Sequence, residues 1–129
     1  MSASATPGAT PGGTPVAGVH PAAASATSIK MTDQLQFSPS AATINVGDTV
    51  TWHNESAIPH STTDDPSQNP VAKTHPEFSQ LPAGAKAWNS GLLQTGQTFS
   101  HTFTVPGTYH YFCIPHVLSG MLGTISVQG

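Results

Sequence analysis

Charge is what this chain has least of. It carries no arginine, three lysines and six acidic residues, for a formal net charge of −3 with histidine neutral. Binding to nucleic acid calls for a basic patch, so that class of partner is excluded. The same sparse charge gives little steering towards a membrane surface. No apolar run approaches the roughly 20 residues of a spanning helix. Cys113 is the single cysteine, so no disulfide forms within the chain. The GxSxG, CxxC and CxxCH patterns are absent as well. That removes the serine-hydrolase elbow, the dithiol redox motif and haem attachment. No stretch sustains a 3.6-residue apolar period, so amphipathic helices do not build the fold.

Residues 1–28 are Ala, Gly, Pro, Ser and Thr almost throughout, with no charged and no aromatic side chain. Such a segment buries too little apolar surface to offset its ordering entropy, and is expected to be a flexible linker. It lacks the basic start and apolar centre of a signal peptide. Met1 is therefore expected to stand where a signal or anchor has been removed; a naturally disordered N terminus is the alternative.

From residue 29 to 129 the pattern is that of one β domain. SIKMTD, ATINV, GDTVTWHN, QTFSHTFTV, YHYFC and GTISV are short alternating runs separated by Pro, Gly, Asn and Asp. In the third run Val50 and Trp52 share one face, and Thr49, Thr51 and His53 the other. About seven short strands in about 100 residues predict a β-sandwich. Residues 63–95 are the irregular part, long enough to mark a functional or decorated loop. A short helix or an edge strand is expected near AKAWNS.

A lone Cys beside seven His leaves three readings: a metal ligand, a nucleophile, or a small buried hydrophobe. The run from Tyr109 to Met121 narrows them. It reads C-x-x-H-x-x-x-x-M over Cys113, His116 and Met121 at the end of a strand. A soft thiolate, a borderline imidazole and a soft thioether together suit copper, which cycles between a softer and a harder oxidation state. Two His, one Cys and a weak axial Met make the blue-copper arrangement. The second His must come from elsewhere. His60 is the best candidate, because Pro59 fixes the backbone before it. A nucleophile reading lacks an acid partner and an oxyanion donor. Zinc could take the same ligands, but structural zinc sites rarely use Met.

The segments FSPSAATINVGDTVTWHNESAIPH, SGLLQTGQTFSHTF and GTYHYFCIPHVLSGMLGTISV resemble the small blue copper proteins, the cupredoxins. Within them the likeness is to the plastocyanin, amicyanin, pseudoazurin and halocyanin group, which shares the C-x-x-H-x-x-x-x-M loop. It covers about residues 29–128. The resemblance implies a Greek-key β-sandwich of seven to eight strands with one type 1 copper ion at one end. It implies His60, Cys113 and His116 as equatorial ligands and Met121 as the axial one. The function implied is transfer of single electrons, without catalytic turnover, between transient redox partners: a cytochrome, an oxidase or a photosynthetic complex. A monomer is expected. A copper storage or delivery module would use the same ligands, but such sites tend to be exposed and rich in Met. The tail points to a place outside the cytoplasm, in the periplasm or on the outer face of its membrane, with a tether in the full-length protein. There a copper-bound thiol escapes cytosolic copper scavenging.

Two departures from the family stand out. Ser61 follows the upstream His where many relatives have Asn, yet its backbone N–H stays available to the Cys113 sulfur. The 63–95 segment is longer than in the shortest relatives and is expected to cover one flank of the site. Pro115, Val117 and Leu118 are expected to form an apolar collar around His116, with Phe112, on the opposite face from Cys113, as a second way out for the electron. His53 and His110 are expected at polar positions, His101 in the core or as a substitute for His60, and His20 and His75 in solvent. Asp64 and Asp65 read as a hydrated acidic pair.

Overall fold

Pairing of the alternating runs produces the architecture. The computed structural model describes residues 26–129. In chain order the strands are β1 (Ala26–Met31), β2 (Phe37–Ser38), β3 (Ala41–Asn45), β4 (Thr49–Asn54), β5 (Thr63–Asp64), β6 (Trp88–Asn89), β7 (Thr98–Thr102), β8 (Gly107–Phe112) and β9 (Leu122–Gln128). One short helix, α1 (Pro70–Thr74), and three 3-10 turns complete the described elements. The strands form two sheets, ordered β2-β1-β4-β7 and β3-β9-β8-β5-β6. This is the expected all-β sandwich.

β1 starts at Ala26, inside the stretch expected to be linker. Its register with β4 is parallel, from Ala26↔Thr49 to Met31↔Asn54. Hydrogen bonding to β4 sets this end, not a side-chain pattern. Residues 1–25 of the expected linker, with His20, lie outside the described residues.

β4 carries the alternation read from the sequence. Val50, Trp52 and Asn54 are buried and the residues between them are not. On the outer face Thr49 meets Thr102 at 2.8 Å and Thr51 meets Ser100 at 2.7 Å, bracing β4 against β7. Between the sheets Ile29, Met31, Phe37, Val50, Trp52, Trp88, Phe103, Tyr109, Tyr111 and Ile125 form the core. Trp52 contacts Tyr111 edge-on at 5.4 Å and Trp88 at 5.8 Å. Such rings dominate a core of this size, each contributing on the order of 3–5 kcal/mol. Gly123 is obligatory in β9, because a Cβ there would collide with the Tyr111 ring.

The 63–95 segment resolves into β5, α1, β6 and turns. β6 is the edge strand anticipated near Trp88. Asn69 caps α1, accepting from Val71 N at 2.8 Å, and Pro70 occupies the first helical position. α1 lays Ala72 on Phe112 and Val117, making a second, smaller apolar cluster outside the sandwich.

Candidate metal centre

The sheet delivers three of the four candidate residues through one connection. β8 and β9 are antiparallel neighbours ending in the pair Phe112↔Leu122, so residues 113–121 must turn tightly between them. Cys113 N–H donates to Met121 O at 3.2 Å and extends the ladder by one step. A 3-10 turn over Ile114–Ser119 then reverses the chain. His116 N–H donates to Cys113 O at 3.2 Å and Met121 N–H to His116 O at 3.3 Å. Gly120 closes the turn at φ +83°, the left-handed region that glycine enters without strain. Cys113, His116 and Met121 are thus tied to one another by main-chain bonds.

His60 arrives from the other sheet's side. Its peptide forms a bridge with Leu93, donating at 3.1 Å and accepting at 2.7 Å. Buried Asn54 shapes the loop before it. Its Nδ2 donates to Ile58 O and to Leu93 O, each at 2.8 Å, and its Oδ1 accepts from Ser56 N at 2.9 Å.

The side chains converge. Cys113 Sγ lies 3.6 Å from His60 Nδ1 and 3.4 Å from His116 Nδ1. One ligand atom from each of the three lies within 4.8 Å of the others. The two imidazoles meet edge-on at 5.0 Å. His60 Nε2 is 3.0 Å from Thr32 O, an acceptor only, so Nε2 holds the proton and Nδ1 presents its lone pair towards the sulfur. Ser61 N–H donates to Cys113 Sγ at 3.3 Å, as the sequence anticipated despite the missing Asn. Met121 is fully buried beside the turn.

Electrostatics favour metal over proton on the imidazoles. Burial lowers the His60 pKa, the Thr32 carbonyl opposing and His116 adding to the effect. Burial lowers His116 too. Both rings are therefore neutral, with lone pairs free, at neutral pH. Burial pushes the Cys113 thiol up, against hydrogen bonds from Ser61 and His116. Metal binding must expel that thiol proton. Two imidazole nitrogens and a thiolate sulfur, with a buried thioether residue at the end of the same turn, fit copper.

Several residues depart from expectation. Val117 is buried under α1, so the apolar collar around half-buried His116 is made by Pro115 and Leu118, the latter 83 % exposed. Phe112 does lie across the strand from Cys113, but α1 covers it and leaves it no exposure. Asp64 is not hydrated. It is fully buried, and neither carboxylate oxygen has a hydrogen-bond partner among the described residues. Burial, with Asp65 adding repulsion, pushes its pKa up to about 8. Asp65 is instead the cap of the 3-10 turn over Pro66–Gln68, bonding Ser67. His101 stacks on Trp88 at 4.8 Å and is no part of the cluster. His53 and His110 are half-buried, and exposed His75 stacks on Phe78. Sequence reading missed Thr32, Asn69 and Asn89. An Asn directly before Pro70 is a helix-start signal that marks Asn69; nothing in the sequence marks Thr32.

A family model described as copper binding proteins, plastocyanin/azurin family, matches residues 23–128. A plastocyanin of Scenedesmus fuscus is 40% identical over 94 residues, 73% of this chain and 88% of that protein. A chloroplastic plastocyanin of Oryza sativa subsp. indica is 36% identical over 94 residues, 73% of this chain and 56% of the rice protein, so the chain spans just over half of it. Among solved structures, the Cu(I) form of a methionine-to-glutamine variant of amicyanin superposes with a TM-score of 0.60 at 28% identity, covering 80% of this chain and 82% of that one.

Proposed function

The chain belongs to the plastocyanin/azurin family of copper-binding proteins, and from that premise we propose that it carries single electrons between protein partners, holding one copper ion with His60, Cys113, His116 and Met121. The observation that carries this reading is the approach of Cys113 Sγ to both Nδ1 atoms, at 3.6 and 3.4 Å, inside a buried pocket. When bound, copper supplies a one-electron couple that the amino acids lack. The chain's own contribution is stiffness. Each proposed ligand sits in a main-chain hydrogen bond to another ligand or to Leu93, so little has to move when charge changes. His60, Cys113 and Met121 have no exposure, and Thr32 fixes the proton of His60 on the ring nitrogen facing away from the sulfur.

Among the described residues, half-buried His116 and exposed Pro115 and Leu118 lie together on the turn that carries the proposed ligands. Leu92, 56 % exposed, follows from the Leu93 bridge on the same end of the sandwich. A small apolar patch with little charge suits brief encounters with a cytochrome, an oxidase or a photosynthetic complex. A storage or delivery module needs ligands that a second protein can reach. Here His60, Cys113 and Met121 have no exposure, which favours the carrier. The functional domain begins with β1 at Ala26, three residues earlier than the sequence pattern suggested, and works outside the cytoplasm as a monomer. Among the described residues no helix is long and apolar enough to cross a membrane.

Titration of the apoprotein with Cu(II), followed by visible absorption and EPR, tests the proposal. An intense blue thiolate-to-copper band with narrow hyperfine splitting is expected, and Cys113→Ser should abolish it. Met121→Gln should keep the colour and lower the potential. A colourless complex from the unmodified protein would sink the carrier reading.

A further inference from the structure

Two asparagines of the 63–95 segment close on the peptide that follows Cys113. Ile114 N–H donates to Ser61 Oγ at 2.8 Å, and Ile114 C=O accepts from Asn69 Nδ2 at 3.1 Å. Ser61 Oγ lies 3.0 Å from Thr63 Oγ1, which in turn donates to Asn89 Oδ1 at 3.0 Å. Thr63 has one hydroxyl proton, and it points at Asn89. Ser61 is therefore the donor in the Ser61–Thr63 pair. Each hydroxyl accepts once and donates once. The direction runs from Ile114 N–H through Ser61 and Thr63 to the Asn89 carbonyl oxygen, which also accepts from Gly91 N–H at 2.9 Å. Bonds aligned head to tail strengthen one another, and Ser61 and Thr63 are fully buried, so water does not compete. Ser61 also gives its backbone N–H to the Cys113 sulfur.

The geometry points to Asn89 and Asn69 as positioning residues that set the reduction potential of the metal centre, by holding the Ile114 peptide and, through Ser61, the N–H aimed at the Cys113 sulfur. This rests on the blue-copper reading above. Neither asparagine is a proposed ligand; Asn89 acts through two hydroxyls and Asn69 through the Ile114 carbonyl. Hydrogen bonding at the cysteine sulfur is a main control on the potential of such centres. An N–H dipole directed at the sulfur favours the reduced form, in which the sulfur carries more negative charge. A loosened grip on Ser61 therefore lowers the potential. Residues one step removed from metal ligands commonly change metal affinity by 10–100-fold.

Three variants test the clamp. Thr63→Val removes the middle hydroxyl at nearly constant shape. Asn89→Ala removes the terminal acceptor. Asn69→Ser keeps an oxygen that caps α1 but is too short to reach Ile114. Each is expected to lower the potential and to speed copper release about tenfold. In the metal-free protein the Ile114 amide should exchange with solvent faster in Thr63→Val and Asn89→Ala than in the parent. Thr63→Ser restores the hydroxyl and should return all three readouts to parental values. Unchanged potential, copper release and Ile114 exchange in Thr63→Val would overturn the inference. If that variant does not fold, as judged by near-UV circular dichroism, Asn89→Ala and Asn69→Ser decide by the same measurements. A parent protein that binds Cu(II) without blue colour defeats the carrier reading alone, because metal-free Ile114 exchange still decides the clamp.

Discussion

The sandwich and the 63–95 segment are held together by different means. In the sandwich, apolar side chains alternate along long strands and meet between two sheets, with Trp52 and Tyr111 at the centre. In the 63–95 segment the strands are two residues long; Trp88 and Leu93 reach into the core, but polar side chains fix the rest: Asn69 caps, Asp65 caps, Thr63 relays. Its helix is anchored by the small apolar cluster of Ala72, Phe112 and Val117, with Val71 and Phe78 packed against it. The sandwich provides stability in bulk. The segment provides local tuning at the candidate metal centre, and the contrast predicts that equal truncations will have unequal consequences.

Trp52→Ala should show the largest loss. Removing a fully buried ring from the central cluster costs about 3–5 kcal/mol of apoprotein stability, measurable as a drop in the urea midpoint. A cost under about 1 kcal/mol would mean that the sandwich is not the main source of stability.

Asp64 lies at the seam, on β5 against β8 and β6. Its folded pKa, pushed up to about 8, stands above the ordinary carboxylate value near 4 in the unfolded chain. Its stabilising contribution is therefore fully present below about pH 4 and lost as pH rises through about 8. Between those limits the native state binds more protons, so stability should fall by up to about 1.4 kcal/mol per pH unit. Asp64→Asn should flatten that slope. Parallel unfolding curves for both proteins across the range would show the carboxyl to be solvated after all.

Asn69→Ala should cost about 1 kcal/mol through loss of the α1 cap, read by thermal unfolding. The smallest effect belongs to the exposed pair Lys30–Glu55, 3.7 Å apart on the sandwich surface. Lys30→Ala should change stability by less than about 0.5 kcal/mol, and a larger change would place unexpected weight on surface charge.

Legibility in the sequence follows the same division. β4, β7, β8 and β9 announce themselves by alternation, because one face of each turns to the opposite sheet, buried in β4, β8 and β9 and half-buried in β7. Cys113, His116 and Met121 are legible because a short connection between paired strands forces near neighbours in sequence together in space. His60 is legible from the Pro59 before it. The start of β1 is not, since Ala26 to Ser28 become strand only by pairing with β4. The burial of Asp64 is hidden for a related reason. Two adjacent acids look solvated, and only the insertion of β5 between β8 and β6 turns one of them inward. Val117 sits among apolar neighbours in an exposed-looking turn, and its burial depends on where α1 lands.

The cover that α1 places over Phe112 has a kinetic consequence. If the only doorway is the patch around His116, donor and acceptor must use it in turn, and neither can wait beside the other. Each visit has to end before the next begins. Residence time then limits throughput, and a partner bound too tightly would act as an inhibitor of the traffic it takes part in.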